Sequence, residues 1–330
     1  MPVVAVGITI LIFSLLQLLP PASRAMLFVQ RPEQATAIAA IIRKYGLDRP
    51  MYVQYWYWLR NALHGDLGYS QSARMPVAEA IRIFFPATVE LGMYAFVLIV
   101  ATGLWLGTLA AVHKDGLVDN LSRIFAITGY SLPVFVWGVL LLFVFYGDLN
   151  WFPPERLSLQ ATLFVQSPQF RQYTGLMTVD ALLNRSWWIL WDALRHLVLP
   201  VVTLTYFLAA TLVRITRASM LEVLGQDYVR TARSKGVPEP QVITRHARRN
   251  ALIPAVTLSG SILVGLLSGV VITETIFNYP GIGRWGATAA IELDVPSVAG
   301  FALLVAIVTV IANLGADFLY SHIDPRIRLR

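Results

Sequence analysis

The sequence predicts an all-α polytopic membrane protein with about six transmembrane helices. Of its 330 residues 56% are hydrophobic and only 14% are charged, where soluble domains carry about 45–50% apolar and about 25% charged residues. The mean hydropathy is +0.62. The apolar residues also gather in long runs, of the roughly 20 residues that cross about 30 Å of hydrocarbon at about 1.5 Å per residue. A compact cytosolic enzyme, a fibrous protein and a disordered tail are all excluded.

The first run, Val3–Leu19, reads as a span rather than a signal peptide: no basic residue precedes it, and Leu18-Leu19-Pro20-Pro21 is a poor cleavage site. Residues 21–87 follow as a long segment. In it Tyr52, Tyr55, Trp56, Leu59 and Leu63 are spaced as one helical face. That face suits either an outside partner or the membrane interface, where Trp and Tyr are favoured. Gly65-Asp66-Leu67-Gly68 is a turn by its chemistry, not a phosphate loop.

The other predicted spans are Val89–Val112, Ile124–Tyr146, Leu197–Thr216, Ala255–Ile276 and Val298–Tyr320. Gly103-Leu-Trp-Leu-Gly107 and Gly265-Leu-Leu-Ser-Gly269 are small-residue pairs that let helices approach closely. Pro133 and Pro200 are expected to kink their spans. The chain divides into a first helix with its extracytoplasmic loop, 1–87, and a five-helix core, 88–330, containing the segment 217–250.

Charge sets the orientation. The net charge of +7 does not come from one basic patch, so nucleic acid is set aside. With both termini inside, segments 113–123, 217–250 and 321–330 hold 12 Lys and Arg in 55 residues. Segments 21–87, 148–196 and 278–297 hold 13 in 136. The denser set belongs in the cytoplasm.

Catalytic chemistry is hard to place on this chain. There are no cysteines and five histidines, without HExxH or GxSxG. The charges within spans, Glu90, Arg214, Glu274 and Asp317, stand near span ends and do not stack into a proton relay. None of the lysines, Lys44, Lys114 and Lys235, completes a P-loop. The expectation is a membrane protein that is not an enzyme and has no cofactor or metal of its own; if ATP drives it, another subunit supplies the site. A secondary carrier is the competing class, but it should show repeats or midplane ion ligands.

The most informative stretch runs from Asp227-Tyr-Val-Arg-Thr-Ala-Arg-Ser-Lys-Gly236 on to Pro254. Residues 227–235 predict a short basic helix. Gly236 suits the left-handed position just past its end, with Pro238 as a stop. Arg233 and Lys235 favour the negative end of the helix dipole. Glu239, with Pro238 or Pro240, opens a second helix to about Asn250. A helix–Gly–helix elbow is a lever by construction, and a solvated positive-inside loop is the plainer reading of the same composition.

Tyr228 to Gly236 resembles the coupling segment of permease subunits in binding-protein-dependent ABC importers of the dipeptide/oligopeptide/nickel type. Of the general EAAxxxG pattern Ala232 and Gly236 match, while Arg230 and Thr231 replace Glu and the first Ala. His246-Ala-Arg-Arg replaces IxLP, and Pro254 comes five residues late. Both departures are similar to the peptide subfamily's own form. Tyr45-Gly-Leu-Asp-Arg-Pro50, Gly65-Asp-Leu-Gly-Tyr-Ser70, Pro86-Ala-Thr-Val-Glu90, Thr174-Gly175 to Asp180, His196-Leu-Val-Leu-Pro200 and Glu274 to Gly283 look like the rest of that family's first permease subunit. Pro21-Ala-Ser stands where Gly-Asp-Pro is usual.

The resemblance implies a prokaryotic cytoplasmic-membrane importer. It pairs this chain with a homologous second permease, one or two ATPase subunits that bind ATP and Mg, and an extracytoplasmic binding protein. Tyr228, Arg230, Thr231, Ala232, Arg233, Lys235 and Gly236 would then engage an ATPase. At the far end of the fifth span, Glu274, Phe277, Tyr279, Pro280 and Gly281 are expected to line the pathway or its outer gate. An interfacial aromatic turn is the alternative there.

Overall fold

The computed structural model describes residues 46–323 without interruption, with side chains through Gly315, together with Ile42, Arg43 and isolated positions between Gly7 and Gln17. The predicted span Val3–Leu19 therefore falls largely outside the described residues. Helix α1, Met51–Leu63, carries the expected aromatic face, but the periodicity points it differently. Tyr52, Trp56 and Leu63 are exposed, while Tyr55 and Trp58 stack beside Phe13. The turn at 65–68 feeds a two-rung hairpin, β1 Tyr69–Ser70 against β2 Met75–Pro76.

Two long helices form the frame. α2, Val77–Val112, packs along α7, Trp187–Leu224. Leu91, Ala95 and Ile99 meet Leu197, Leu204 and Leu212 across that seam. The small-residue reading of Gly103 and Gly107 holds: a Cβ on Gly103 would fall inside the Leu212 side chain, and one on Gly107 against Thr216 and the Val213 carbonyl. The second pair does something else. Gly265 faces open space, whereas Gly269, at φ +103°, breaks the helix and also lies against the backbone of Gly283, so only the second glycine of this pair makes a close approach.

That break corrects the fifth span. In place of one helix over Ala255–Ile276, α11, Ile253–Leu267, ends before Gly269, and α12, Val271–Ile276, begins after it. The third span bends more sharply than the kink expected of it. Leu132 is extended before Pro133, as residues preceding proline are. α3, Leu117–Ser131, therefore meets the segment Val134–Asp148 at 101°. That segment is α4, Val134–Leu141, continued by a π turn. α7 by contrast continues through Pro200.

Among the described residues three helices are long and apolar enough to cross a membrane, Val77–Val112, Trp187–Leu224 and Val295–Gly315, or up to five if each bent pair is one span. α2 runs unbroken through the 87/88 boundary.

The remaining elements gather at the two ends of α2 and α7. At one end lies an insertion with α5, Leu159–Val165, and α6, Met177–Leu183. It has its own small core of Leu157, Ala161, Val165, Phe170, Met177 and Ala181, set on Ile189 and Ala193 of α7. α13, Ile282–Ile291, and the start of α14, Val295–Ile323, close that end. At the other end the chain leaves α7 through α8, Asp227–Ser234, then α9, Glu239–Gln241, a π-helical turn and α10, Arg248–Ala251.

Candidate functional sites at the two ends of the bundle

The elbow is built as its sequence predicts. The amide of Gly236 donates to the Arg233 carbonyl and that of Val237 to the Ala232 carbonyl. This is the Schellman closure that requires a left-handed residue after the helix, and Gly236 supplies it at φ +75°. Val229, Ala232 and Val242 are buried together beneath the turn, with Val223 and Val237 against them. The second arm is seated by Ala247 and Ala251 on Met220 of α7 and Ala111 of α2.

The expected contact residues therefore divide. Tyr228, Arg230, Thr231, Lys235 and Gly236 are exposed. Ala232 points inward and holds the elbow shut. Arg233 is already committed: its guanidinium donates to both Glu239 oxygens at 3.0 and 2.6 Å, and to the Leu224 carbonyl at 3.4 Å. It thus ties both arms to the end of α7 instead of merely facing a helix dipole. Asn250 donates to the Tyr228 hydroxyl.

At the opposite end, motifs far apart in sequence converge on two carboxylates. Glu90, in α2, is buried. One oxygen accepts the Thr178 amide and hydroxyl at 2.6 and 2.8 Å. The other accepts Nε and Nη2 of Arg156 at 3.1 and 2.6 Å, with the Tyr279 hydroxyl at 3.4 Å. Arg156 also donates to the Gly175 carbonyl, and Asp180 closes that loop by accepting from Thr174 and Gly175.

Glu274 makes the second knot. It accepts from the Thr88 hydroxyl at 2.6 Å and from the Arg284 amide at 2.7 Å, so its carboxylate satisfies the open N-terminus of α13. Gly281 is required by this approach, because a Cβ there would sit inside the Glu274 carboxylate.

Of the second predicted site, Glu274, Phe277, Tyr279 and Gly281 are all buried within this chain, and Pro280 is half-buried. Glu274 does not face an open space. A third carboxylate, Asp294, accepts from Ser70, Ser72 and Ser297 and joins the hairpin to the start of α14. Burial pushes its pKa up, but these hydroxyls and the Ser72 amide outweigh burial and hold the group below the ordinary carboxylate range.

Sequence reasoning did not find Arg156, Thr178 or Thr88. The available signal was Glu90 itself, since a carboxylate in an apolar helix demands a partner. Four arginines of segment 148–196 could answer it, and composition does not choose among them.

Two family models match the chain. The family described as "Binding-protein-dependent transport system inner membrane component" matches residues 103–329. Its companion, "Binding-prot-dependent transport system membrane comp, N-term", matches residues 2–92. The chain is 40% identical over 324 residues to the dipeptide transport system permease protein DppB of Escherichia coli (strain K12), covering 98% of this chain and 94% of that one. It is 39% identical over 323 residues to the di/tripeptide transport system permease protein DppB of Pseudomonas aeruginosa (strain UCBPP-PA14), with the same coverage. To the glutathione transport system permease protein GsiC of Escherichia coli O6:H1 it is 35% identical over 323 residues, again covering 98% and 94%.

Proposed function

We infer the function from one premise: the chain belongs to the family of binding-protein-dependent transport system inner membrane components. It is a multi-pass membrane permease of the ABC importer class. The finer reading is ours. The cargo is a di- or oligopeptide or a related small solute. The chain pairs with a homologous second permease, a binding protein presents the substrate outside, and one or two partner ATPases bind ATP and Mg inside. Both termini and the elbow are cytoplasmic, and the junction around Glu90 and Glu274 is extracytoplasmic. Exposed Trp187, Trp188 and Trp191 at the start of α7 suit an interfacial belt at that end.

The observation that carries the reading is the elbow. A short helix is held stiffly from below by Val229, Ala232 and Val242, and it presents Tyr228, Arg230, Thr231 and Lys235 outward. Seated in a groove of an ATPase, such an element moves as a unit when that subunit closes on ATP, and the partner's ligand biases the permease between two arrangements. At the other end, Phe277, Tyr279, Pro280 and Gly281 act as the rigid frame of the outer gate, anchored by Glu274, rather than as its wetted surface.

The experiment is co-purification with the neighbouring subunits, followed by ATP hydrolysis in liposomes with and without binding protein. Replacing Arg230 and Lys235, or Gly236→Pro, should abolish binding-protein-stimulated hydrolysis while the complex still assembles. Full stimulation in those variants would sink the coupling role. Transport without ATP dependence would move a secondary carrier to the front.

A further inference from the structure

We propose that Arg156 is a positioning residue of the transport cycle: it pins the 149–186 insertion to α2, so that movement of the insertion is passed down that helix to the elbow. This rests on the transport reading above. The insertion packs as one body with the start of α7, because its core of Leu157, Ala161, Val165, Phe170, Met177 and Ala181 closes on Ile189 and Ala193 and is distinct from the core between α2 and α7. A body with its own core moves as a unit, and what it moves is decided by its attachments.

Its hydrogen bonds to α2 converge on Glu90, and Gly175 lies against Pro86 of the same helix. Arg156 near the insertion's beginning and Thr178 near its end take one carboxylate oxygen each, and Arg156 also binds the Gly175 carbonyl. The next residue back, Glu155, is tied to the 274–283 turn: its amide donates to the Phe277 carbonyl at 2.6 Å, and its carboxylate accepts from Asn278 at 2.9 Å. One guanidinium therefore joins both strands of the insertion to α2 beside the second knot.

Room to move is present. A cleft of about 920 Å³ lies between the insertion and the first turns of α2, with Arg156, Tyr173 and Gly175 on one wall and Glu79 and Arg82 on the other. The path onward is stiff. From Glu90 to Val112 α2 is continuous helix, about 33 Å at the usual rise, and Ala111 and Val112 pack on the elbow's seat.

The test uses the complete importer in liposomes, with wild type, Arg156→Lys, Arg156→Gln and Glu90→Gln. Basal ATP turnover and its stimulation by loaded binding protein are measured separately. Stimulation should fall on the order of fivefold or more in Arg156→Gln, the low end of ordinary coupling between sites, with basal turnover unchanged. Arg156→Lys keeps the charge but not the three-way bonding, and should fall between.

The chain has no native cysteine, so spin labels at Leu163→Cys and Ile83→Cys report the distance from insertion to α2. That distribution should broaden in Arg156→Gln. Unchanged stimulation, an unchanged distance distribution, equal losses of basal and stimulated turnover, or failure of all three variants to assemble would each overturn the pin in favour of a purely structural bridge or none. A wild-type complex without any stimulation would bring down the transport reading itself, a result distinct from all of these.

Discussion

The junction and the elbow each rest on an arginine bound to a glutamate at 2.6 Å, yet the two pairs live in different solvents. The Arg156 and Glu90 side chains are 14% and 1% exposed, and those of Arg233 and Glu239 are 40% and 52% exposed. Desolvating a charge costs more than an isolated Coulomb contact returns, so a buried pair survives only when its remaining lone pairs are also used. At the junction they are, by Thr178, Tyr279 and the Gly175 carbonyl. The exposed pair carries no such demand, and small apolar side chains hold the elbow instead. One end is an architectural constraint. The other leaves Lys235 and Arg230 on the surface, Arg230 facing only the exposed Asp227 at 3.7 Å, where a partner can take them without risk to the fold.

The largest test of that contrast removes one buried partner. Glu90→Leu leaves Arg156 uncompensated and should cost about 3–5 kcal/mol, read as a lower unfolding midpoint of the purified protein in detergent. A loss no greater than that of an exposed pair would erase the distinction.

Glycines sharpen it next. Gly281→Ala drives a methyl into the Glu274 carboxylate and should cost about 1–3 kcal/mol through overpacking. Gly236→Ala meets nothing within 4 Å and should cost only the left-handed backbone, about 1–2 kcal/mol. The same unfolding measurement ranks them, and the two should diverge further with larger side chains.

Acid should weaken the junction end selectively. The pKa of Asp294 is lower folded than unfolded, so its contribution is present above the unfolded value and is lost as pH falls through the folded one. Wild type should therefore lose more stability than Asp294→Asn between neutral pH and about pH 3. Parallel pH profiles would remove Asp294 as the cause. The smallest effect is expected of Arg233→Ala, at most about 1 kcal/mol, in an unfolding scan that leaves the junction unaffected.

What could be read from the sequence was local. The elbow was legible because helix ends obey short-range rules: Gly236 after a basic turn and Pro238 beyond it specify a Schellman stop whatever surrounds them. The membrane class was legible because bilayer thickness acts on every span alike. Gly103 and Gly265 looked identical in the same motif, yet only the first has a helix opposite it, and no local rule tells a helix what it will face. Likewise Glu90 announced that it needed a partner, but Arg156 stands 66 residues away, and Glu274 reaches Thr88 across 186. Local chemistry specified the elbow helix, its stop and the membrane as solvent. Which charges meet was settled by folding, because the cost of burying a charge depends on the groups brought around it.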